Sequence, residues 1–172
     1  MNQPLLGEAL SLLSAIVWAF AVVLFRKSGE TVHPLALNAF KNMLAVALLV
    51  PLVWMLGHVS LHQIPLHTHA ILFLSGAVGI GLGDTFFFHS LNRLGAGLTG
   101  IILCLYSPFI IVFSYIWLDE RLSAIQLLGA LLIISAVVLT SVGRRSSDRT
   151  VPRHFSGVAF GILAAASMAA GV

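Results

Sequence analysis

The chain has 172 residues, of which 59% are hydrophobic and only 9% charged, with a net charge of +3; an ordinary soluble domain carries roughly 25% charged residues. A globule of this length cannot hide so much apolar surface from water, so part of its solvent is lipid. The basic residues stand singly at the ends of apolar stretches, which speaks against a nucleic-acid surface, and the single Cys104 excludes a disulfide framework or a CxxC metal knuckle.

Six apolar stretches follow one another, and a membrane helix needs about 20 residues to cross ~30 Å of hydrocarbon. The first, Leu5–Phe25, lacks a basic leader and is too long for a cleaved signal peptide. Ser11, Ser14 and Trp18 fall on one stripe of it, and a tryptophan so far from the interface either packs in the core or stacks on a ligand. After the break 26–34 comes Leu35–Leu56, which carries Lys41 about 9 Å below the membrane surface at 1.5 Å per residue. The loop 57–69 holds His58, His62, His67 and His69. Histidines at this density suit a transition metal, although a zinc site normally shows tighter spacing with Cys or carboxylate ligands; a solvated loop is the plainer reading.

The third stretch, Ala70–Leu91, contains Asp84 about 10 Å from the same surface as Lys41. Each charge alone would cost about 2.5–3.5 kcal/mol to insert, so the two are expected to pair, or Asp84 to meet a wet cavity. On an unbroken α-helix Gly76, Gly79 and Gly83 form a ridge for close helix packing, while Ala77, Gly81 and Phe88 share the side of Asp84. In the fourth stretch, Leu98–Leu118, Pro108 lies midway, predicting a kinked or broken helix that leaves the Cys104 carbonyl without its helical partner. Tyr106 and Ser107 stand beside it. Asp119 and Glu120 abut Arg121 and read as a solvated cap. Ser123 and Gln126 make an S-x-x-Q capping box that starts the fifth stretch, Ser123–Val142. A polar segment, 143–154, leads to Phe155–Val172, which stops at the last residue with no polar flank, as a fragment of a longer protein would.

The fold class expected is therefore all-α, a polytopic transmembrane helical bundle, because in lipid every backbone group needs an internal partner and transmembrane strands are about half this length. Shifted by 150, residues 157–172 lie on 7–22, and Gly7, Ala9, Leu13, Ala15, Ala19 and Val22 find identical residues at Gly157, Ala159, Leu163, Ala165, Ala169 and Val172. Five helices per unit would turn the second unit upside down, the inverted repeat common in secondary transporters. The domains expected are a five-helix unit at 7–142, a linker at 143–154 and the first helix of a second, inverted repeat at 155–172. Of the Lys and Arg residues, one (Arg121) lies on the N-terminal side and eight on the other, so the positive-inside rule places the N-terminus outside the cytoplasm. No H-E-x-x-H, G-x-S-x-G or phosphate-binding glycine loop occurs, so enzyme chemistry lacks a residue set.

The stretch 76–141, with its glycine-rich third span, the central Ser107-Pro108 and the turn Asp119-Glu120-Arg121-Leu122-Ser123, resembles the later part of an EamA domain, the five-helix unit of the drug/metabolite transporter superfamily. LSAIVWAFAVVLFRK with Trp18 resembles the first span, and NAFKNMLAVALLVPL with Lys41 the second, where an arginine is frequent. The resemblance implies a ten-helix carrier of two inverted domains, exporting or importing amino acids, other metabolites or drugs, often with ion coupling and without an organic cofactor. It also implies a cytoplasmic N-terminus, against the charge count, so both orientations stay open in the cell (plasma or inner) membrane. A substrate or ion pathway is expected at Asp84, Lys41, Trp18, Tyr106, Pro108 and the Cys104 carbonyl. The partners expected are a small-molecule substrate, membrane lipid and the second repeat of the same chain, with a homodimer left open and no nucleic acid. The alternative is a metal-binding or metal-sensing membrane protein using His58, His62, His67 and His69.

Overall fold

The computed structural model describes residues 3–56, 65–118, 123–143 and 151–172. His58, His62, Asp119, Glu120, Arg121 and most of the 143–154 linker fall outside them. The described residues are helical almost throughout: α1 (Gln3–Ser28), α2 (Pro34–Leu56), α3 (Leu66–Gly76), a π-helical turn (Ala77–Leu82), α4 (Gly83–Leu94), α5 (Ala96–Leu103), α6 (Tyr106–Leu118), α7 (Ala124–Gly143) and α8 (Val151–Ala170). Among the described residues, four stretches are long and apolar enough to cross a membrane: Leu6–Ser28, Pro34–Leu56, Leu66–Leu94 and Ala96–Trp117. Ala124–Thr140 and Phe155–Ala170 are shorter apolar helices. The protein is thus a multi-pass membrane protein built from helices.

The core lies between α4 and α8. Leu37, Phe87, Phe88, Leu91 and Ala164 are buried together, with Val22, Phe25 and Met168 packed against them. A second cluster joins Leu98, Ile102 and Val137. Lipid is as apolar as leucine, so side chains on the outer faces of α1, α2 and α7 gain little by burial, and most of them are exposed. What brings helices together here is close packing. A methyl group added at Gly161 of α8 would stand 2.7 Å from the Ile102 Cγ2 and 3.0 Å from the Ser90 Oγ, so only glycine admits α8 this close. Gly79 and Gly83 also meet α8, at Gly171 and Met168, as the glycine ridge predicts, whereas Gly76 faces open space.

Three local devices set the ends of these helices. At Gly95 the backbone takes φ 84°, a left-handed conformation that glycine adopts without strain, and the chain turns from α4 into α5. The Leu91 carbonyl accepts the Gly95 N–H at 2.9 Å and Arg26 Nη1 at 2.7 Å, so α1 ties off the end of α4. On the same membrane side His89 stacks on Phe160 of α8 at 5.0 Å, His33 meets His89 edge-on, and the Arg93 guanidinium lies 4.5 Å over the Phe160 ring. The capping box at α7 forms as read: the Ser123 N–H donates to Gln126 Oε1 at 2.8 Å and the Gln126 N–H to Ser123 Oγ at 3.4 Å.

Candidate functional site

The third span is where a polar site is built. Its hydrogen-bond ladder changes register in mid-span, with α3 before and α4 after the π turn Ala77–Leu82. A π turn bonds five residues apart and leaves neighbouring carbonyls poorly paired, and such turns are frequent at functional sites. The Gly83 N–H is shared between Val78 O and Ile80 O. The Asn38 amide on α2 supplies the missing donors: its Nδ2 lies 3.2 Å from Ile80 O, 2.9 Å from Gly81 O and 2.9 Å from Thr85 Oγ1. Asn42, one turn on, donates to Asn38 Oδ1 at 2.7 Å.

Lys41 lies between these two asparagines on the same face of α2, and its Nζ forms an ion pair with Asp84 Oδ2 at the start of α4. The Asp84 side chain is 11% exposed and that of Lys41 25%, so the charges meet in a largely water-poor setting where an unpaired carboxylate would be costly. Because α4 runs to Leu94, Asp84 lies about 15 Å along the helix from its end, one turn deeper than the hydropathy boundary at Leu91 suggests.

Asp84 opens onto a cavity of about 570 Å³, whose wall includes Trp18, Ser75, Gly76, Gly79, Tyr106 and Met168. The lining is apolar apart from Asp84, Ser75 and the Tyr106 phenol, so the space suits an organic molecule with one polar or charged group. Trp18 is half exposed and stacks on Phe87 at 6.4 Å; it is a cavity wall rather than a core residue. With Leu103 it separates this cavity from a crevice of about 530 Å³, which Cys104 lines with Phe87 and Gly100.

One expectation needs correction. Gly76 and Gly79, rather than Ala77 and Gly81, share the cavity with Asp84, because the π turn adds a residue and rotates the two halves of the span relative to each other. Of the kinked or broken helix expected at Pro108, the break is what forms: α5 ends at Leu103 and α6 restarts at Tyr106, leaving Pro108 in a first helical turn where a missing N–H costs little. The Cys104 carbonyl accepts a long bond from the Ser107 N–H, 3.4 Å. Asp84, Trp18 and Tyr106 are thus brought together on one cavity, with Lys41 reaching Asp84 from α2, while Cys104 lines the adjoining crevice. Sequence reading missed Asn38, Asn42 and Thr85. The i, i+3, i+4 spacing of Asn38, Lys41 and Asn42 was the available signal, one polar stripe in an otherwise apolar span. Of the four loop histidines, His67 and His69 are described; among the described residues no three His, Cys, Asp or Glu side chains are grouped to hold a metal ion.

A polytopic helical membrane protein with a broken mid-span helix beside a cavity has the build of a carrier. Residues 5–142 match the model of the EamA-like transporter family, and the chain belongs to that family, whose members are transporters and not enzymes. It is also similar to an uncharacterized transporter of Archaeoglobus fulgidus, 28% identical over 160 residues that make up 93% of this chain and 55% of that protein. The chain therefore spans about half the length of the curated relative it matches. No solved structure matches it.

Proposed function

We propose that this chain forms one half of a secondary carrier for a small metabolite or drug. The unit at 7–142 is read as the first repeat, 143–154 as a linker and 155–172 as the opening helix of an inverted second repeat. The observation that carries the reading is a partly buried ion pair, Lys41–Asp84, whose carboxylate lines a cavity of about 570 Å³. Substrate would enter between Trp18 and Tyr106 and take over Asp84 from Lys41, or Asp84 would pick up a proton as the cargo leaves. Either exchange makes binding depend on the charge of one carboxylate, which links transport to an ion gradient. The close packing of α8 on α4 supports a second repeat that begins inside the first, and the missing half comes from the same chain or from a second copy.

The test is a thermal-shift screen of the protein in detergent with amino acids, other metabolites, organic cations and divalent metals at two pH values, alongside Asp84→Asn. The expected result is an organic ligand that stabilises the wild type in a pH-dependent way, with that dependence abolished in Asp84→Asn. An equal, equally pH-dependent shift in the variant removes Asp84 from the site. Stabilisation by zinc or nickel alone favours the histidine loop instead.

A further inference from the structure

We infer that Asn38 is a positioning residue for the candidate site: its amide holds Ala77–Leu82 in the π register, and that register brings Ser75, Gly76 and Gly79 round onto the cavity that Asp84 faces.

A π turn in a bilayer has to be held. Each unsatisfied backbone group in hydrocarbon costs several kcal/mol. Here the turn lies midway along the span, and its Ile80 and Gly81 carbonyls both point to the Asn38 Nδ2. The amide carries two N–H groups, and three oxygens share them once Thr85 Oγ1 is counted. Thr85 in turn donates to Gly81 O at 2.7 Å, closing the ring. The amide is fixed from behind by Asn42 Nδ2, which bonds Asn38 Oδ1 and so keeps the NH₂ edge toward the turn. A leucine at 38 would fill similar space with no donor.

The geometric consequence follows from one inserted residue. In an unbroken α-helix at 100° per residue, Ser75 would lie about 180° and Gly79 about 140° away from Asp84. Both line the cavity with it. Reversion of the π turn to α register, with every residue kept, would rotate the α3 half by about 100° relative to α4. The α4 half is the part that stays, because Phe87, Phe88 and Leu91 are locked in the core. The wall bearing Gly76 would then swing away from the carboxylate. Lys41 lies three residues from Asn38 on α2, so one helix face both neutralises Asp84 and sets the wall opposite it. Asn38 bears on transport only through the reading of Asp84 given above, yet its effect on geometry is measurable without any ligand.

Gly76 has open space around an added Cβ, so a cysteine there reports the cavity wall. In a Cys104→Ala background, Gly76→Cys in detergent is treated with a water-soluble maleimide. Asn38→Leu should slow its labelling tenfold or more, while native Cys104, labelled in the parent Asn38→Leu chain, stays within twofold of wild type. Deleting Ile80 removes the extra residue and lets the span run as a plain α-helix with both halves in their present register, so labelling at position 76 should stay within twofold of the parent, and Asn38→Leu should then add nothing, since the turn it holds is gone. Labelling at position 76 that stays within twofold in Asn38→Leu, or an undiminished Asn38→Leu effect in the deletion, overturns the assignment. Should Asn38→Leu disturb Cys104 as well, Asn38→Asp, the same shape without N–H donors, replaces it under the same limits. A failed ligand screen with slowed labelling would remove the transport reading and leave the positioning role standing.

Discussion

Helix α4 has two seams of opposite character. Toward α8 it meets glycines, alanines and aromatic rings: Gly83 against Met168, Ser90 against Gly161, and His89 against Phe160. Toward α2 the span meets Asn38 and Lys41, which bind its π turn, Thr85 and Asp84, with Asn42 bracing Asn38 from behind. The first seam works by dispersion between closely fitted surfaces and has no alternative partner of equal fit. The second consists of hydrogen bonds and one ion pair, which are directional and depend on each partner's charge and protonation.

The sharpest way to break this contrast is to remove one charge. Lys41→Met leaves Asp84 without its cation and should cost about 3 kcal/mol, read as a fall in unfolding midpoint in detergent. Lys41→Met combined with Asp84→Leu should recover most of that loss; a double variant as unstable as the single would mean that the pair is not the polar seam's main element. On the apolar seam, Gly161→Leu forces side-chain atoms into Ile102 and Ser90 and should cost about 1–3 kcal/mol by overpacking, with no rescue from any change on α2. Smallest is Ser123→Ala, which removes the N-cap of α7 and should cost about 1 kcal/mol or less. Its effect belongs to neither seam, so it should add to Lys41→Met within about 0.5 kcal/mol.

Much of this was legible before any coordinates. Span-length apolar stretches in a chain with 9% charged residues call for lipid, and lipid calls for helices, because no other open structure satisfies its own backbone. The pairing of Lys41 with Asp84 followed from matching depth and opposite sign, and the Ser123–Gln126 box from three-residue spacing. These are local or one-dimensional signals: depth, sign and spacing survive being written as a string.

The π turn did not survive in that form. Whether a Gly-rich segment bonds four or five residues apart depends on a donor from another helix, and Asn38 is 42 residues from Ile80 in the chain. The same is true of Pro108, whose place in a first turn rather than a kink depends on where α5 stops, and of Trp18, whose position on the cavity wall depends on how far α1 stands from α4. Composition, periodicity and charge determined that this is a membrane-embedded bundle of helices with a paired intramembrane charge. Only tertiary packing decided which faces of those helices meet, because in a bilayer the apolar residues have no preference between lipid and protein, and fit alone makes the choice.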